Sequence, residues 1–356
     1  MHENLSRSLT IALQRSHACA ERALTLTAFF AGDAIAQPNQ NALQPAGAQA
    51  AHIARLWNLT LVVCGVVFAG VLLATVVSLA RRRRGDARTP PDAGSADAPE
   101  LRTRRFVIGA TGLSVVLLVG LVVADVLTDR ALSRLPVDNA VHIEVTGEQW
   151  WWQAAYAPDG GNAGFVTANE LHVPIGRPVI VSLKAGDVIH SFWVPNLHGK
   201  KDMLPGVDST IEFRADHEGI YRGQCAEYCG AEHALMAMLV VAQTPDSYAA
   251  WLKQQSAPAV SAGDALALRG RQVFLQSSCA GCHTIRGTSA QGTLAPDLTH
   301  LMSRQTIASG VLANTQANLL AWIRDPQALK PGTTMPSVPL AADDLRAVVA
   351  WLGTLQ

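Results

Sequence analysis

Hydropathy divides the chain into three regimes. Leu56 to Ala80 runs 25 positions without a charged residue, and Phe106 to Leu127 runs 22 with only Asp125. At about 1.5 Å of rise per helical residue, either run crosses a hydrocarbon layer of about 30 Å. From Val137 the pattern changes. Val141-His-Ile-Glu-Val-Thr, Glu170-Leu-His-Val-Pro and Pro178-Val-Ile-Val-Ser-Leu alternate or run β-branched between Gly, Pro and Asn breaks. Several short strands with turn signals predict an all-β sandwich or barrel. The small-residue stretch Ser256 to Gly263 marks a boundary. Beyond it the chain reads as helical and closes with a helix from Ala341 to Leu355.

The apolar pattern also predicts an export signal over residues 1–36. Arg7, Arg15 and Arg22 precede a short apolar run, Leu24 to Ala31, which is followed by the cleavage pattern Ala34-Ile-Ala36. Residues 37–136 then form a transmembrane hairpin, 137–250 a β domain, 251–264 a linker and 265–356 a helical domain. Asp125 lies near one end of its span, where an interfacial carboxylate is expected.

Charge decides orientation. The 28 Lys and Arg balance 28 Asp and Glu, so the total charge implies no nucleic-acid partner. Between the two spans, Arg81 to Arg84, Arg88, Arg102, Arg104 and Arg105 face four acids, whereas Gln37 to Arg55 holds one arginine. By the positive-inside rule the connection is cytoplasmic, and both mature termini lie on the outer side of a bacterial inner membrane.

The six cysteines fall as one near the N-terminus, one inside an apolar run and two close pairs. This is a metal pattern rather than a disulfide framework. The first pair sits in Cys225-Ala-Glu-Tyr-Cys229-Gly-Ala-Glu-His233-Ala-Leu-Met236, with two thiols, an imidazole and a thioether spaced by four, four and three. Thiolate and thioether ligands select copper(I), zinc or iron–sulfur clusters, and imidazole suits copper and zinc. His190, in Val-Ile-His190-Ser-Phe-Trp-Val-Pro, is the candidate second imidazole. Together these groups exceed what a tetrahedral zinc needs. A Cys2His2 zinc site and a Cys225–Cys229 disulfide are the alternatives.

The second pair, Cys279-Ala-Gly-Cys282-His283, is the C-x-x-C-H signature of covalent haem c attachment. Two thiols add to the haem vinyl groups, and the adjacent histidine supplies an axial ligand. A redox-active dithiol is the alternative, without the βαβ pattern that would accompany it. Met302 and Met335 are the downstream candidates for the sixth ligand. Met335 lies in the Pro/Gly-punctuated loop Lys330-Pro-Gly-Thr-Thr-Met335-Pro336, whereas Met302 falls in a predicted helix.

Tyr221-Arg-Gly-Gln-Cys-Ala-Glu-Tyr-Cys-Gly, with the His190 segment, resembles the dinuclear CuA centre of cytochrome c oxidase subunit II. The haem segment resembles class I cytochromes c, whose axial methionine sits in a loop like that of Met335. The resemblance implies a cupredoxin-like Greek-key barrel followed by an all-α cytochrome c domain. It implies copper ligation by His190, Cys225, Cys229, His233, Met236 and the carbonyl of Glu227, with Met238 a competing thioether. The Glu227 carboxylate is expected to face subunit I and hold magnesium or manganese.

Gly147-Glu-Gln-Trp150-Trp151-Trp152 is the second local likeness. In the family this aromatic stretch lies where electrons enter, with Trp150 as the usual entry residue beside Trp151. Side chains alternate along a strand, so three adjacent tryptophans cannot all enter one core. Pro296 matches the family proline that orients the proximal histidine, and Gly270, Phe274 and Trp351 match its helix crossing.

The implied function is electron entry into a terminal oxidase, from a cytochrome c or an upstream complex through haem c and CuA to subunit I, with subunit III as a further partner. The oxygen-reducing site lies on subunit I, and no catalytic residue on this chain. A CuA-bearing subunit of a nitric oxide reductase and a free-standing membrane-anchored electron carrier are the rival functions.

Overall fold

The computed structural model describes residues 39–81, 97–259 and 263–356. The expected leader, residues 1–36, and the centre of the arginine-flanked connection lie outside them. Two helices come first, α1 (Ala48–Arg81) and α2 (Asp97–Leu132). Each outruns the apolar stretch that predicted it. Their large apolar side chains, among them Val66, Phe68, Leu73, Phe106, Val116 and Leu118, are exposed. A helix that is apolar all round and covered by nothing belongs in lipid. The segment before α1 is tied to the β domain. The Asn39 amide donates to the Ile220 carbonyl at 2.8 Å, Ala46 to Asn196 at 2.7 Å and Ala48 to Arg214 at 3.3 Å.

Ten strands build the next domain: β1 (Val141–Glu148), β2 (Trp151–Tyr156), β3 (Phe165–Ala168), β4 (Glu170–Pro174), β5 (Val179–Ala185), β6 (His190–Trp193), β7 (Lys201–Met203), β8 (Ser209–Phe213), β9 (Gly219–Cys225) and β10 (Ala237–Gln243). They form two five-stranded sheets, ordered β3-β2-β1-β5-β8 and β4-β10-β9-β6-β7. Along β1 and β2 buried positions alternate with partly exposed ones, as the period of two demands. The inward residues, including Val145, Trp152, Leu171, Leu183, Phe192 and Met203, fill one core. This is the cupredoxin-like domain expected.

Helix α3 (Pro245–Ser256) follows, capped by Thr244 with Pro245 in its first turn. It carries the chain past residue 250, where the linker was expected to begin. Tyr248 and Leu252 are buried in the β-domain core and Trp251 packs against it, so the separate segment starts only at Ala257. The haem-type domain holds α4 (Ala265–Gln276), the short α5 (Cys279–Cys282), α6 (Gln316–Arg324), α7 (Pro326–Leu329) and α8 (Ala342–Leu352). Helices α4 and α8 cross at Gly270, where a Cβ would overlap the Ala347 carbonyl. Phe274 and Trp351 meet edge to face at 5.2 Å beside the crossing.

Candidate redox centres

Strand pairing assembles the first centre. Cys225 ends β9, and β6 pairs beside it with Phe192 opposite Cys225. His190, at the start of β6, is thereby carried to the cysteine. The loop from Cys225 to β10 turns back through a single 3-10 turn at His233–Leu235. The Nδ1 of His190 lies 3.9 Å from the Cys225 sulfur, and the Nδ1 of His233 lies 3.6 Å from the Cys229 sulfur. The Cys225 thiol also reaches the Glu227 carbonyl at 3.1 Å, and the Cys229 thiol reaches the Met236 Sδ at 3.8 Å. Each sulfur thus has one imidazole and one weaker donor, in two mirrored halves. Met238, the competing thioether, packs instead against Gly223 and is fully buried.

The donor chemistry fits a pair of copper ions. The ligand atoms of His190, Cys225 and Cys229 lie within 4.8 Å of one another, all three residues buried. The bond from Cys229 pulls the Cys225 thiol far down, while that same bond and burial push Cys229 up. Two buried sulfurs with imidazole nitrogens and a thioether beside them form the soft donor set that suits copper. His190 is held by Asp187, whose Oδ1 lies 2.8 Å from Nε2. Burial alone would lower this imidazole, but the bonds to Cys225 and Asp187 outweigh it and raise its pKa. Asp187 thereby leaves Nδ1 free for metal.

The backbone and the side chain of Glu227 face different partners. Its carbonyl faces the Cys225 sulfur, while its half-exposed carboxylate lies 3.5 Å from the Lys200 ammonium. Alternation alone would place Trp150 with Trp152, but Trp150 precedes β2, which begins at Trp151, and so escapes its period of two. Trp152 is fully buried, with its ring 6.2 Å from that of His190. Trp150 and Trp151 turn the other way and line a cavity of about 380 Å³ in the helical domain.

That cavity is the second centre. Cys279, Cys282, His283 and Met335 all line it. The His283 Nδ1 donates to the Pro296 carbonyl at 2.7 Å, which presents Nε2 for ligation. Burial lowers the His283 pKa, the Pro296 bond partly opposing it, a direction that favours the neutral ring a metal ligand needs. Met302 packs on the hydrophobic cluster of the domain rather than on the cavity wall. The buried Nε of Arg304, another lining residue, has no partner among the described residues. An apolar pocket with two thiols, an imidazole, a thioether and an unpaired cationic N–H fits a haem bearing carboxylates.

The comparisons agree with both centres. The family described as cytochrome c oxidase subunit II, periplasmic domain, matches residues 158–243, and cytochrome c matches residues 267–356. Cytochrome c oxidase subunit 2 of Alkalihalophilus pseudofirmus is 39% identical over 340 residues, 93% of this chain and 95% of that one. The chain belongs to the cytochrome c oxidase subunit 2 family. The same subunit of Bacillus subtilis is 30% identical over 84% of this chain and 86% of its own. The crystal structure of the periplasmic domain of subunit II from Bradyrhizobium japonicum matches 32% of this chain and 92% of that one, at 30% identity and a TM-score of 0.30.

As a subunit II, the chain is anchored by its two apolar helices, bears a periplasmic copper domain of the CuA type and adds a cytochrome c domain for haem c. It serves electron entry into a haem–copper oxidase. Sequence reading missed Asp187, Gln149 and Lys330. Asp187 had one legible signal, a carboxylate three residues before the candidate ligand His190. Gln149 and Lys330 act on main-chain carbonyls, which no motif reports.

Proposed function

We propose that this chain takes electrons from a cytochrome c or an upstream complex at its haem domain. It passes them through its copper domain to subunit I of a terminal oxidase, where oxygen is reduced to water. The observation that carries this reading is a shared wall. Trp150 lines the haem cavity, and its indole N–H donates to the carbonyl of Cys229 at 2.9 Å. Bound here, the haem and the dinuclear copper each accept and release one electron. His190, Cys225, Cys229, His233, Met236 and the Glu227 carbonyl would hold the copper; Cys279, Cys282, His283 and Met335 would hold the haem. Asp187 orients His190, and Pro296 orients His283. Trp150 and Trp151 are the electron-entry residues, reached from the haem domain of the same chain. Tethering replaces a diffusional encounter by a high effective concentration.

The Glu227 carboxylate is proposed to face subunit I and hold magnesium or manganese, a position that Lys200 neutralises in the free chain. Subunit III is a further partner. The membrane is the bacterial inner membrane, with both redox domains outside. Eight arginines between the spans support this orientation. So do the hydrogen bonds that tie residues 39–48 to the β domain at the opposite end of α1.

Gas uptake by the complex purified through this chain tests the reading. Reduced cytochrome c drives it, with oxygen and nitric oxide offered separately. Cyanide-sensitive oxygen uptake is expected. Nitric oxide turnover without oxygen uptake would assign a reductase. Turnover of neither gas, with no large subunit present, would leave an anchored carrier.

A further inference from the structure

The loop that carries Met335 and the loop that carries the copper ligands meet at two adjacent peptide groups. The Lys330 ammonium donates to the Trp150 carbonyl at 2.8 Å, and the Thr334 hydroxyl to the Gln149 carbonyl at 3.5 Å. The side chains of the same two residues, Gln149 and Trp150, both donate to the Cys229 carbonyl, at 2.8 and 2.9 Å. A continuous run of hydrogen bonds therefore joins the haem ligand loop to a copper ligand residue.

Lys330 stands out in this run. It is 2% exposed, and lysine is almost never buried so deeply without a partner. Burial pushes its pKa down to about 8, opposed in part by the charge of Glu232. Glu232, between Cys229 and His233, is itself 4% exposed, and its Oε2 has no hydrogen-bond partner among the described residues. Glu232 acts on Lys330 through its charge, while the hydrogen bond of the ammonium goes to the Trp150 carbonyl. Transient electron-transfer contacts are steered by rim charges that stay in water. A desolvated ammonium on a carbonyl belongs to a contact that stays closed.

We propose that Lys330 is a positioning residue for electron transfer: it locks the Met335 loop onto the Gln149–Trp150 peptides and so fixes that loop against the copper loop. The inference rests on the oxidase reading of the two centres. Other contacts across the same boundary do not involve Lys330. The Ala237 amide donates to the Ser309 carbonyl at 3.0 Å, and the Gln305 amide to the Glu170 carboxylate at 2.8 Å. They keep the domains together when Lys330 is changed, so the effect is local to the two loops.

The test uses the intact oxidase complex with Lys330→Met and Lys330→Arg. Haem c is reduced by a flash, and copper reduction is followed in the near infrared. Hydrogen exchange is read separately over residues 147–152 and 330–335. In Lys330→Met, copper reduction slows at least about tenfold and exchange accelerates alike, the scale of losing a hydrogen bond to a charged group. Both chromophores keep their spectra, and Lys330→Arg restores most of the rate. An unchanged rate and exchange in Lys330→Met would overturn the proposal, as would an arginine variant as slow as the methionine one. Loss of the haem spectrum in Lys330→Met would overturn it as well, because Lys330 would then serve the haem fold. If haem c fails to reduce copper in the unsubstituted complex, the oxidase reading itself falls.

Discussion

The Cys229 carbonyl accepts two hydrogen bonds from neighbouring side chains, the Trp150 indole at 2.9 Å and the Gln149 amide at 2.8 Å. A carbonyl has two lone pairs, and here both are used to hold the copper loop from the haem side. Each donor substitutes for the other, so the two should not act additively. Trp150→Phe or Gln149→Ala alone weakens copper retention by roughly fivefold, about one net hydrogen bond. The double variant loses more than the product of the two, because the carbonyl is then buried and unsatisfied. Competition with a copper chelator measures all three, and simple additivity would refute the shared role.

Asp187 touches no proposed metal, yet it fixes which nitrogen of His190 faces the sulfurs. It also accepts from the Gln149 amide at 2.6 Å, so its position is held from two sides. Asp187→Asn keeps the shape and removes the charge. Copper affinity should fall by about 10- to 100-fold, the range for such supporting partners. Equal affinity in the variant would show that His190 is oriented by packing against Trp152 alone.

Two buried methionines compete for one function, and geometry separates them. Met236 Sδ lies 3.8 Å from the Cys229 sulfur, whereas Met238 packs on Gly223. Met236→Leu is therefore expected to shift the copper absorption and electron spin resonance spectra. Met238→Leu conserves volume and costs less than about 1.5 kcal/mol of stability, with the spectra unchanged. The reverse pattern would transfer the ligand role to Met238.

What the sequence made legible follows a physical division. Most candidate ligands of the two centres lie in two short runs, Cys225 to Met236 and Cys279 to His283, whose spacing the chain displays openly, while His190 and Met335 lie outside them. The paired sheets were legible only as alternation, because β1 pairs in parallel with β5 and β4 with β10, pairings that span long separations. The contact between the domains left no trace. Lys330 and Trp150 are 180 positions apart, and the group contacted is a carbonyl, which every residue has. Helix α3 hid the true start of the linker, because Trp251 and Leu252 pair with a core assembled from distant strands.

On the haem side, Met335 lines the cavity and Met302 does not. Met335→Ala should abolish the methionine-to-iron charge-transfer band and lower the haem reduction potential, since methionine ligation raises it. Met302→Ala should leave both unchanged. A Met335 variant that retained the band would move the sixth ligand elsewhere.

His198 gives the chain an acid limit that involves neither centre. It follows Leu197 in the turn after β6, and its Nδ1 is buried with no side-chain or backbone partner among the described residues. Burial pulls its pKa down to about 4, the Gly199 backbone partly opposing and Lys201 adding to the effect. The folded chain therefore keeps the imidazole neutral at pH values where the unfolded chain protonates it, near 6.5. Because the unfolded state binds the extra proton, stability is full above about pH 6.5 and falls as pH drops towards 4. At about 1.4 kcal/mol per unit the full loss is on the order of 3 kcal/mol. Partial solvent access reduces it towards about 2. His198→Gln removes the titrating group. Thermal unfolding of the intact chain in detergent, compared between pH 7 and pH 4.5, should show a smaller acid loss in the variant. Equal losses in the two proteins would place the acid sensitivity on other groups.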